Sequence, residues 1–432
     1  MSVPTGRAGG EPRRGTRVNA AFVVPRYGPE VVGGAETLVR GLAEHLAADG
    51  AGVDVLTTCA RDHLSWKNVL RPGVSMERGV AVRRFPVRAR DGRRYGWLHQ
   101  RIQRGGRVPV EDELRWAEES VWSEELFAHL VRHRAAYDAV CFAPYLYGTT
   151  LWGVPLVPER AVLVPCLHDE PFAQLTVVRT AFEAARGFIF NAPPEAALAE
   201  KLYGLGDRPA GVVGLGFDPP PRTDPEAFRR RHGLEGPIVL YLGRKETGKN
   251  VPLLIQYVCR YRETHRADVT LVLAGDGPVT APRGAVGIRD LGYLEPLEKA
   301  AAYAAATVVC QPSVNESFSI ILMEAWLAGT PVLVHAGCPV TTYHTTRADG
   351  GLAFSDYYEF AEALTLLLEN EARRRRLGLQ GRVYVEREYA WPAVTARLRD
   401  VLRRVAAPAG GPAGPSASAR ATAEAASSAR HA

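Results

Sequence analysis

The sequence lacks the features that would place it in a membrane or in an oxidising compartment. None of its apolar runs reaches the roughly 18 residues that span a bilayer, and no apolar stretch typical of a signal peptide follows the N-terminal arginines. The 6 cysteines are scattered singly without a CxxC pair, which argues against disulfides and against structural zinc. These absences predict a cytoplasmic protein.

A strong excess of either charge is also missing. The 432 residues carry a formal net charge of +6 and no aromatic-basic module, so nucleic acid is not an expected partner. One segment, residues 78–107, concentrates ten arginines against a lone Asp91. Two interpretations stay open for it: a solvated surface, or a surface that contacts an anionic acceptor or the headgroups of the inner membrane face.

What the chain does have is a strand–helix alternation that runs twice. Apolar strands and amphipathic helices alternate from residues 18–24 onward, and the alternation restarts at residues 238–242 after a proline-rich connection. A hydrophobic content of 46% supports ordinary globular cores. The pattern predicts an α/β protein of two domains, at residues 17–212 and 213–390, with disordered tails at residues 1–16 and 407–432.

The most informative stretch is residues 310–334, which read CQPSVNESFSIILMEAWLAGTPVLV. It predicts a strand, a turn, a helix from about Ser317 to Leu327 and a second strand, with Gly329 ending the helix. Glu316 lies in the turn, where open α/β sheets place ligands. Glu324 lies two turns into a largely apolar helix, where carboxylates are rarely buried without a partner. The two glutamates are either a ligand site or a helix-end charge plus a structural ion pair.

Two further positions lie where parallel strands end in the first half. Gly33 and Gly34 occupy a strand-to-helix turn, where glycines let a substrate approach the backbone and a helix N-terminus favours anions. His168 follows the strand at residues 161–165, a placement suited to meeting a ligand. On the residues alone, both features also fit purely structural roles.

The loop at residues 243–250, GRKETGKN, allows two interpretations. Gly243, Gly248 and Lys249 match a P-loop, but the last position is Asn250 where a P-loop has a Mg²⁺-binding hydroxyl. A P-loop also usually opens the first strand–helix turn of its fold. The alternative is a loop whose Arg244 and Lys249 bind a diphosphate through charge-assisted hydrogen bonds.

Read together, the segments Glu316-Ser317-Phe318-Ser319, Glu324-Ala325 and Ala328-Gly329-Thr330-Pro331 resemble the E-x7-E signature of family 4 retaining glycosyltransferases with the GT-B fold. The resemblance implies that Glu316 lies beside the donor sugar and that Glu324 binds the nucleotide ribose. The helix N-terminus formed by Ser317, Phe318, Ser319 and Ile320 would receive the leaving diphosphate. Ser319 stands where the family often has glycine, so the chain departs from the family pattern at the backbone contact to phosphate.

The resemblance extends to the other candidates. It implies that Arg244 and Lys249 bind the donor diphosphate, and that Gly33 and Gly34 face the donor across a cleft. His168 would meet the donor sugar or the acceptor. The sequence has no D-x-D motif, the usual metal anchor of the other main glycosyltransferase fold. We therefore expect no metal and no cofactor beyond the nucleotide-sugar substrate.

The resemblance implies two facing Rossmann-like domains with parallel sheets. Residues 17–212 would bind the acceptor, residues 213–390 the nucleotide-sugar, and residues 391–406 would form a crossover helix back onto the first domain. The expected reaction transfers a hexose to a glycan, a lipid-linked acceptor or a small molecule with retention of configuration. The alternatives are a phosphorylase or epimerase of the same fold, a P-loop NTPase, and a non-catalytic nucleotide-sugar-binding protein.

Overall fold

The computed structural model describes residues 18–31, 33–63, 65–282 and 284–407. The tails predicted to be disordered, at residues 1–16 and 407–432, lie outside these residues except for Ala407. The described part of the chain contains two β-sheets, one in each half of the sequence, with helices on both faces.

The sheet of the first half has eight strands in the order β3-β4-β2-β1-β5-β6-β7-β8. All neighbouring pairs are parallel except β3 and β4 at one edge. The strands are β1 (Asn19–Val23), β2 (Gly52–Thr58), β3 (Gly73–Glu77), β4 (Val80–Phe85), β5 (Ala139–Phe142), β6 (Ala161–Leu163), β7 (Gly187–Phe190) and β8 (Ala210–Val212). The α-helices are α1 (Gly34–Ala48), α2 (Gly92–Gln103), α3 (Val110–Ser120), α4 (Glu124–His133), α5 (Gly148–Leu151), α6 (Thr176–Ala184) and α7 (Pro193–Tyr203).

The sheet of the second half has six parallel strands in the order β11-β10-β9-β12-β13-β14. The strands are β9 (Ile238–Leu242), β10 (Thr270–Ala274), β11 (Ile288–Gly292), β12 (Val308–Gln311), β13 (Val332–His335) and β14 (Gly351–Phe354). The helices are α8 (Pro225–His232), α9 (Val251–His265), α10 (Pro296–Ala305), α11 (Ile320–Leu327), α12 (Pro339–Ala348), α13 (Tyr357–Glu369), α14 (Glu371–Glu388) and α15 (Trp391–Ala406).

The periodicity of the sequence accounts for these layers. Leu38, Leu42 and Leu46 repeat every four residues, and all three are buried where α1 covers the first sheet. The central strands β5, β7 and β12 are buried along their whole length, as expected for parallel strands covered by helices on both faces.

Local backbone and capping set two helix boundaries. The helices α3 and α4 are separate because Val121 is extended (φ −146°) and Ser123 caps α4 by accepting a hydrogen bond from the Leu126 amide at 3.4 Å. The helix expected from Ser317 begins instead at Ile320. Ser319 adopts a left-handed conformation (φ 67°), which prevents the helix from starting earlier.

The chain passes between the two halves twice, and the two passages touch. The amide of Phe217 in the first passage donates to the carbonyl of Tyr389 in the second at 2.8 Å, and Phe217 pairs with Ala390 in a parallel bridge. The helix α15 then packs against β7, β8 and α1 of the first half. The Trp391 ring stacks on His45 with ring centroids 3.5 Å apart. Each half is therefore held to the other by paired chain segments.

Among the described residues, no helix combines the length and the apolar character needed to cross a membrane. The basic segment at residues 78–107 is also less uniform than its composition indicates. Five of its ten arginines form ion pairs with carboxylates: Arg78, Arg83, Arg84, Arg88 and Arg94. The exposed cations of this segment are concentrated on and just beyond α2.

Candidate functional site

The order of the second sheet reverses between β9 and β12, which are neighbours although two strands separate them in the chain. A crevice forms at such a point, outside the carboxyl ends of the strands. Lys249 follows β9 and Glu316 follows β12, and their side chains meet there with Nζ and Oε1 2.7 Å apart. The Lys249 ammonium also donates to the Asn315 carbonyl at 3.1 Å. The structure thus joins two of the predicted site residues.

The loop that carries Lys249 is tied to the turn after β12. Asn250 adopts a left-handed conformation (φ 55°) and its Nδ2 donates to the Pro312 carbonyl at 3.0 Å. The position that would hold the Mg²⁺-binding hydroxyl of a P-loop is therefore occupied by an amide already engaged in joining two loops. This geometry argues against the P-loop interpretation.

Arg244 lies in the same loop but points into solvent. Its side chain is 60% exposed and pairs with Glu246 at 3.1 Å. Burial and the positive charges of Arg26 and Arg244 lower the pKa of His63, a residue of the first half. The charge of Arg244 is therefore felt by a residue of the first half.

Glu324 has two partners on α10. The Lys299 ammonium approaches one carboxylate oxygen to 2.6 Å, and the Tyr303 hydroxyl donates to the other at 2.8 Å. Burial and the neighbouring Glu324 raise the pKa of Tyr303. Glu324 therefore forms a structural ion pair with Lys299, as one of the two interpretations of the sequence predicted. The Glu324 side chain keeps 23% of its surface exposed, so the predicted contact with ribose stays a prediction.

The segment preceding α11 is braced against the passage between the two halves. The Phe318 ring packs on Tyr389 and Phe217, with centroids 5.1 and 6.2 Å away. Ser319 is 6% exposed, and its hydroxyl has no hydrogen-bond partner among the described residues. Ser317 and Ile320, the other two residues of the predicted diphosphate site, are partly exposed.

The two predicted glycines of the first half have different roles in packing. A Cβ at Gly33 would lie 2.1 Å from Oε2 of Glu36, which forms a buried ion pair with Arg26 at 2.5 Å. A Cβ at Gly34 would meet nothing within 4 Å. A side chain at position 33 would therefore displace Glu36 from its ion pair with Arg26, whereas the space beside Gly34 is unoccupied. Contact of either glycine with a donor stays a prediction.

His168 lies in the loop after β6, where the sequence placed it. Its side chain is 25% exposed, and Nδ1 is 3.6 Å from Oε1 of Glu170. The Tyr145 hydroxyl donates to the same oxygen at 2.7 Å. Burial raises the pKa of Glu170, but His168 and Tyr145 outweigh it, so that the pKa lies below its ordinary value. An ionised Glu170 fits a role in orienting the imidazole.

The loop of His168 also meets the E-x7-E segment. Burial and the charge of Glu195 raise the pKa of the Cys166 thiol, while hydrogen bonds from Asn191 and Ser317 lower it. Ser317 is therefore a neighbour of Cys166, two residues before His168. The loop after β6 and the turn after β12 therefore lie close to each other at this point.

Sequence reasoning missed two buried charged groups near the site. Lys245 is 5% exposed and binds both carboxylate oxygens of Asp290, at 2.6 and 2.7 Å. Glu195 is 1% exposed in the first turn of α7. Glu195 is the third residue of its helix, a position where an acidic side chain commonly caps the helix, so its hydrogen bonding to the Asn191 amide could have been predicted. Nothing local in the sequence pairs Lys245 with Asp290, 45 residues away.

Within residues 18–407, as far as they are described, no group of three or more His, Cys, Asp or Glu side chains is arranged to hold a metal ion.

Solved structures establish the class of fold. The chain aligns with sucrose-phosphate synthase from Thermosynechococcus elongatus with a TM-score of 0.67 and 20% identity, over 90% of this chain and 99% of that one. It aligns with Anabaena HepE in complex with UDP and glucose with a TM-score of 0.64 and 16% identity, over 90% of this chain and 100% of that one. The architecture is the GT-B fold, with two α/β sheets of which the second is wholly parallel and the first is parallel except at one edge.

Sequence comparison finds a family match in the second half and relatives that align with much of the chain. Residues 224–384, which include Lys249, Glu316 and Glu324, match the family "Glycosyl transferases group 1". A D-inositol 3-phosphate glycosyltransferase of Xylanimonas cellulosilytica is 29% identical over 85% of this chain and 91% of its own length. A phosphatidyl-myo-inositol mannosyltransferase of Mycobacterium leprae is 34% identical over 40% of this chain and 47% of its own length. The family match over residues 224–384 and these relatives support a group 1 glycosyltransferase, as the motifs predicted.

Proposed function

We propose that this enzyme transfers a hexose from a nucleotide-sugar to a hydroxyl acceptor with retention of anomeric configuration. The observation that carries the proposal is the meeting of Lys249 and Glu316 at the reversal point of the second sheet. A cation and the first glutamate of the E-x7-E motif lie together at the crevice, where a diphosphate and its sugar can both be reached. In this proposal Lys249 and Arg244 bind the diphosphate and Glu316 contacts the sugar.

The proposed reaction takes place on one face of the sugar. The bond between the anomeric carbon and the diphosphate oxygen breaks, and the bond to the acceptor oxygen forms on the same side. The proton of the acceptor hydroxyl passes to an oxygen of the leaving diphosphate. The positive charges of Lys249 and Arg244 and the N-terminus of α11 stabilise the negative charge that develops on the diphosphate. His168 approaches from the first half and contacts the sugar or the acceptor.

The names of similar proteins support an acceptor that contains a phosphorylated polyol. D-Inositol 3-phosphate and phosphatidyl-myo-inositol occur in the names of two of them. Both acceptors present a hydroxyl-rich ring with a phosphate group, and they differ in whether a lipid carries that phosphate. Assays with soluble inositol phosphate and with vesicles containing phosphatidylinositol separate these two sources.

A peripheral membrane contact through α2 is part of the proposal. Arg93, Trp97, Arg101 and Arg104, which we name the α2 stripe, are all exposed, and the first three repeat every fourth residue along the helix. Trp97 is 58% exposed, with the Arg101 guanidinium 5.4 Å from its ring centroid. A tryptophan between arginines suits the boundary between anionic headgroups and acyl chains.

The decisive experiment combines a binding screen with a product assay. Thermal unfolding is measured with UDP-, GDP- and ADP-sugars, and the stabilising donor is incubated with each acceptor in the presence of EDTA. We expect one nucleotide class to raise the unfolding temperature, and transfer with retention to persist with the chelator. The variant Lys249→Met should lose about tenfold or more in donor affinity. The matched control Lys201→Met, an exposed lysine on α7, should bind like the wild type.

Three results would contradict the proposal. The first is release of free sugar or sugar phosphate without transfer, which points to a phosphorylase or epimerase. The second is donor binding without any turnover. The third is an inverted product.

A further inference from the structure

A buried carboxylate lies behind the loop that carries His168. Glu195 in the first turn of α7 accepts hydrogen bonds through both of its oxygens. Oε1 accepts from the Leu167 amide at 2.7 Å, and Oε2 accepts from the Asn191 amide at 2.6 Å. Burial raises the pKa of Glu195 to about 8, and the amides of Asn191 and Leu167 work against that rise. A group this costly to bury needs both hydrogen bonds to be tolerated.

The backbone that Glu195 holds is strained. Cys166 adopts a left-handed backbone conformation (φ 53°). Residues other than glycine rarely adopt this conformation unless the surrounding structure imposes it. Leu167, whose amide Glu195 binds, separates Cys166 from His168. The Asn191 side chain, which follows β7, contacts the same turn, with its Nδ2 3.6 Å from the Cys166 sulfur. The hydrogen bond from Leu167 thus fixes the strained turn immediately before His168.

We infer that Glu195 is the positioning residue of His168: its carboxyl group fixes the backbone at residues 166–168 and with it the position of the imidazole beside Glu170. This inference rests on the proposed function, since it assigns His168 a role in transfer. Glu170 orients the ring from one side, and Glu195 fixes the backbone from the other. Glu195 itself is buried and touches neither substrate.

The competing explanation is that Glu195 only satisfies two buried amides. Glu113 on α3 provides a matched control, because it is also buried (6% exposed) and also accepts from the backbone amide of a helix start, that of Val177 at 3.1 Å. Among the described residues, the hydrogen-bond partner of the Glu113 side chain is Val177, which is not part of the site described above. Replacing either glutamate by glutamine leaves a single acceptor oxygen.

The test is a double-mutant cycle with His168. We expect Glu195→Gln to lower kcat about tenfold or more with a donor KM within about twofold of wild type, because a small displacement of a reacting group slows the chemical step. In a His168→Ala background the same change should alter kcat by less than about twofold, since Glu195 acts through His168. Glu113→Gln should leave kcat unchanged at a temperature where every variant is folded.

Hydrogen exchange gives a readout that does not depend on activity. The Leu167 amide should exchange faster in Glu195→Gln, and faster still in Glu195→Ala, while Glu113→Gln leaves it unchanged. The inference would be overturned if Glu195→Gln lowered kcat by the same factor with and without His168. An unchanged kcat in folded Glu195→Gln would also overturn it. A wild-type protein that transfers no sugar would overturn the proposed function instead.

Discussion

The residues Glu316 and Glu324 belong to the same motif but have different surroundings. Glu316 is 14% exposed in the turn beyond β12 and pairs with Lys249 across two loops. Glu324 is held on α11 by Lys299 and Tyr303, both from one neighbouring helix. Glu316 is therefore attached to the loops that surround the proposed sugar, whereas Glu324 belongs to the packed helical layer beside it.

These surroundings predict different kinetic effects for the two glutamates. Glu316→Gln should lower kcat by on the order of tenfold or more, because the lost charge lies beside the reacting sugar. Glu324→Gln should mainly raise the donor KM, since a ribose contact persists in both the ground state and the transition state. Steady-state kinetics with the identified donor measure both parameters. Equal losses in KM alone for the two variants would show that the roles are wrongly assigned.

At the scale of the element, the start of α11 combines strain with an unsatisfied polar group. Ser319 has a left-handed backbone (φ 67°) and a buried hydroxyl without a partner among the described residues. Left-handed backbone costs a residue other than glycine about 1–2 kcal/mol. The greater unfolded-state freedom of glycine offsets part of that cost, by roughly 0.5–1 kcal/mol.

We therefore expect Ser319→Gly to raise the free energy of unfolding by about 1 kcal/mol, measured by denaturant titration. The donor KM should stay within about twofold of wild type, because the backbone amides remain and the hydroxyl is buried. Arg266→Gly is the control for strain alone, since Arg266 is exposed and left-handed (φ 48°) at the end of α9. Destabilisation by Ser319→Gly would mean that the hydroxyl has a partner in solution.

The α2 stripe makes a prediction at the same scale. Replacing Arg93, Arg101 and Arg104 by glutamine should release the protein from vesicles that contain anionic lipid, since each cation near such a surface contributes about 1 kcal/mol. Sedimentation with anionic and neutral vesicles, at low and high salt, measures the effect. The control replaces Arg375, Arg382 and Arg387 on α14, which removes the same charge from the second half. If anionic vesicles retain both variants equally, the α2 stripe is a solvent-exposed surface that does not bind the membrane.

At the scale of the molecule, the two halves share one helix. The α15 face toward the first sheet presents Val401 and Val405, both buried. Gly187 of β7 and Gly211 of β8 receive these side chains, because a Cβ at either glycine would lie 2.7 or 2.5 Å from a valine methyl. The first sheet is thus shaped to accept a helix that ends the described chain.

Gly211→Val should consequently lower the free energy of unfolding by about 1–3 kcal/mol, because the added methyl groups would displace α15 from β8. Chemical denaturation followed by circular dichroism measures the change. Gly34→Ala, at a position where an added Cβ meets nothing within 4 Å, is the control and should fall within about 0.5 kcal/mol of wild type. A neutral Gly211→Val would mean that α15 does not pack tightly on β8.

The sequence allowed the repeated strand–helix units and the site loops to be predicted because both depend on local patterns. Apolar runs placed β1 and β9 close to their observed bounds, and the family resemblance indicated the helix that is now α15. What could not be predicted depends on distant partners. The antiparallel edge strand β3 depends on β4, and the ion pairs of Lys249 and Glu324 depend on side chains 67 and 25 residues away.

The return of α15 to the first half affects how the chain can fold as it is synthesised. The strands β7 and β8 are complete when residue 212 has been made, yet the helix that covers them begins at Trp391. At ~5–20 residues per second, the apolar face of these strands stays uncovered on the ribosome for on the order of 10 to 40 s. The N-terminal half, although made first, is therefore finished last. During this interval its uncovered strands are the part of the nascent chain that we expect a chaperone to bind.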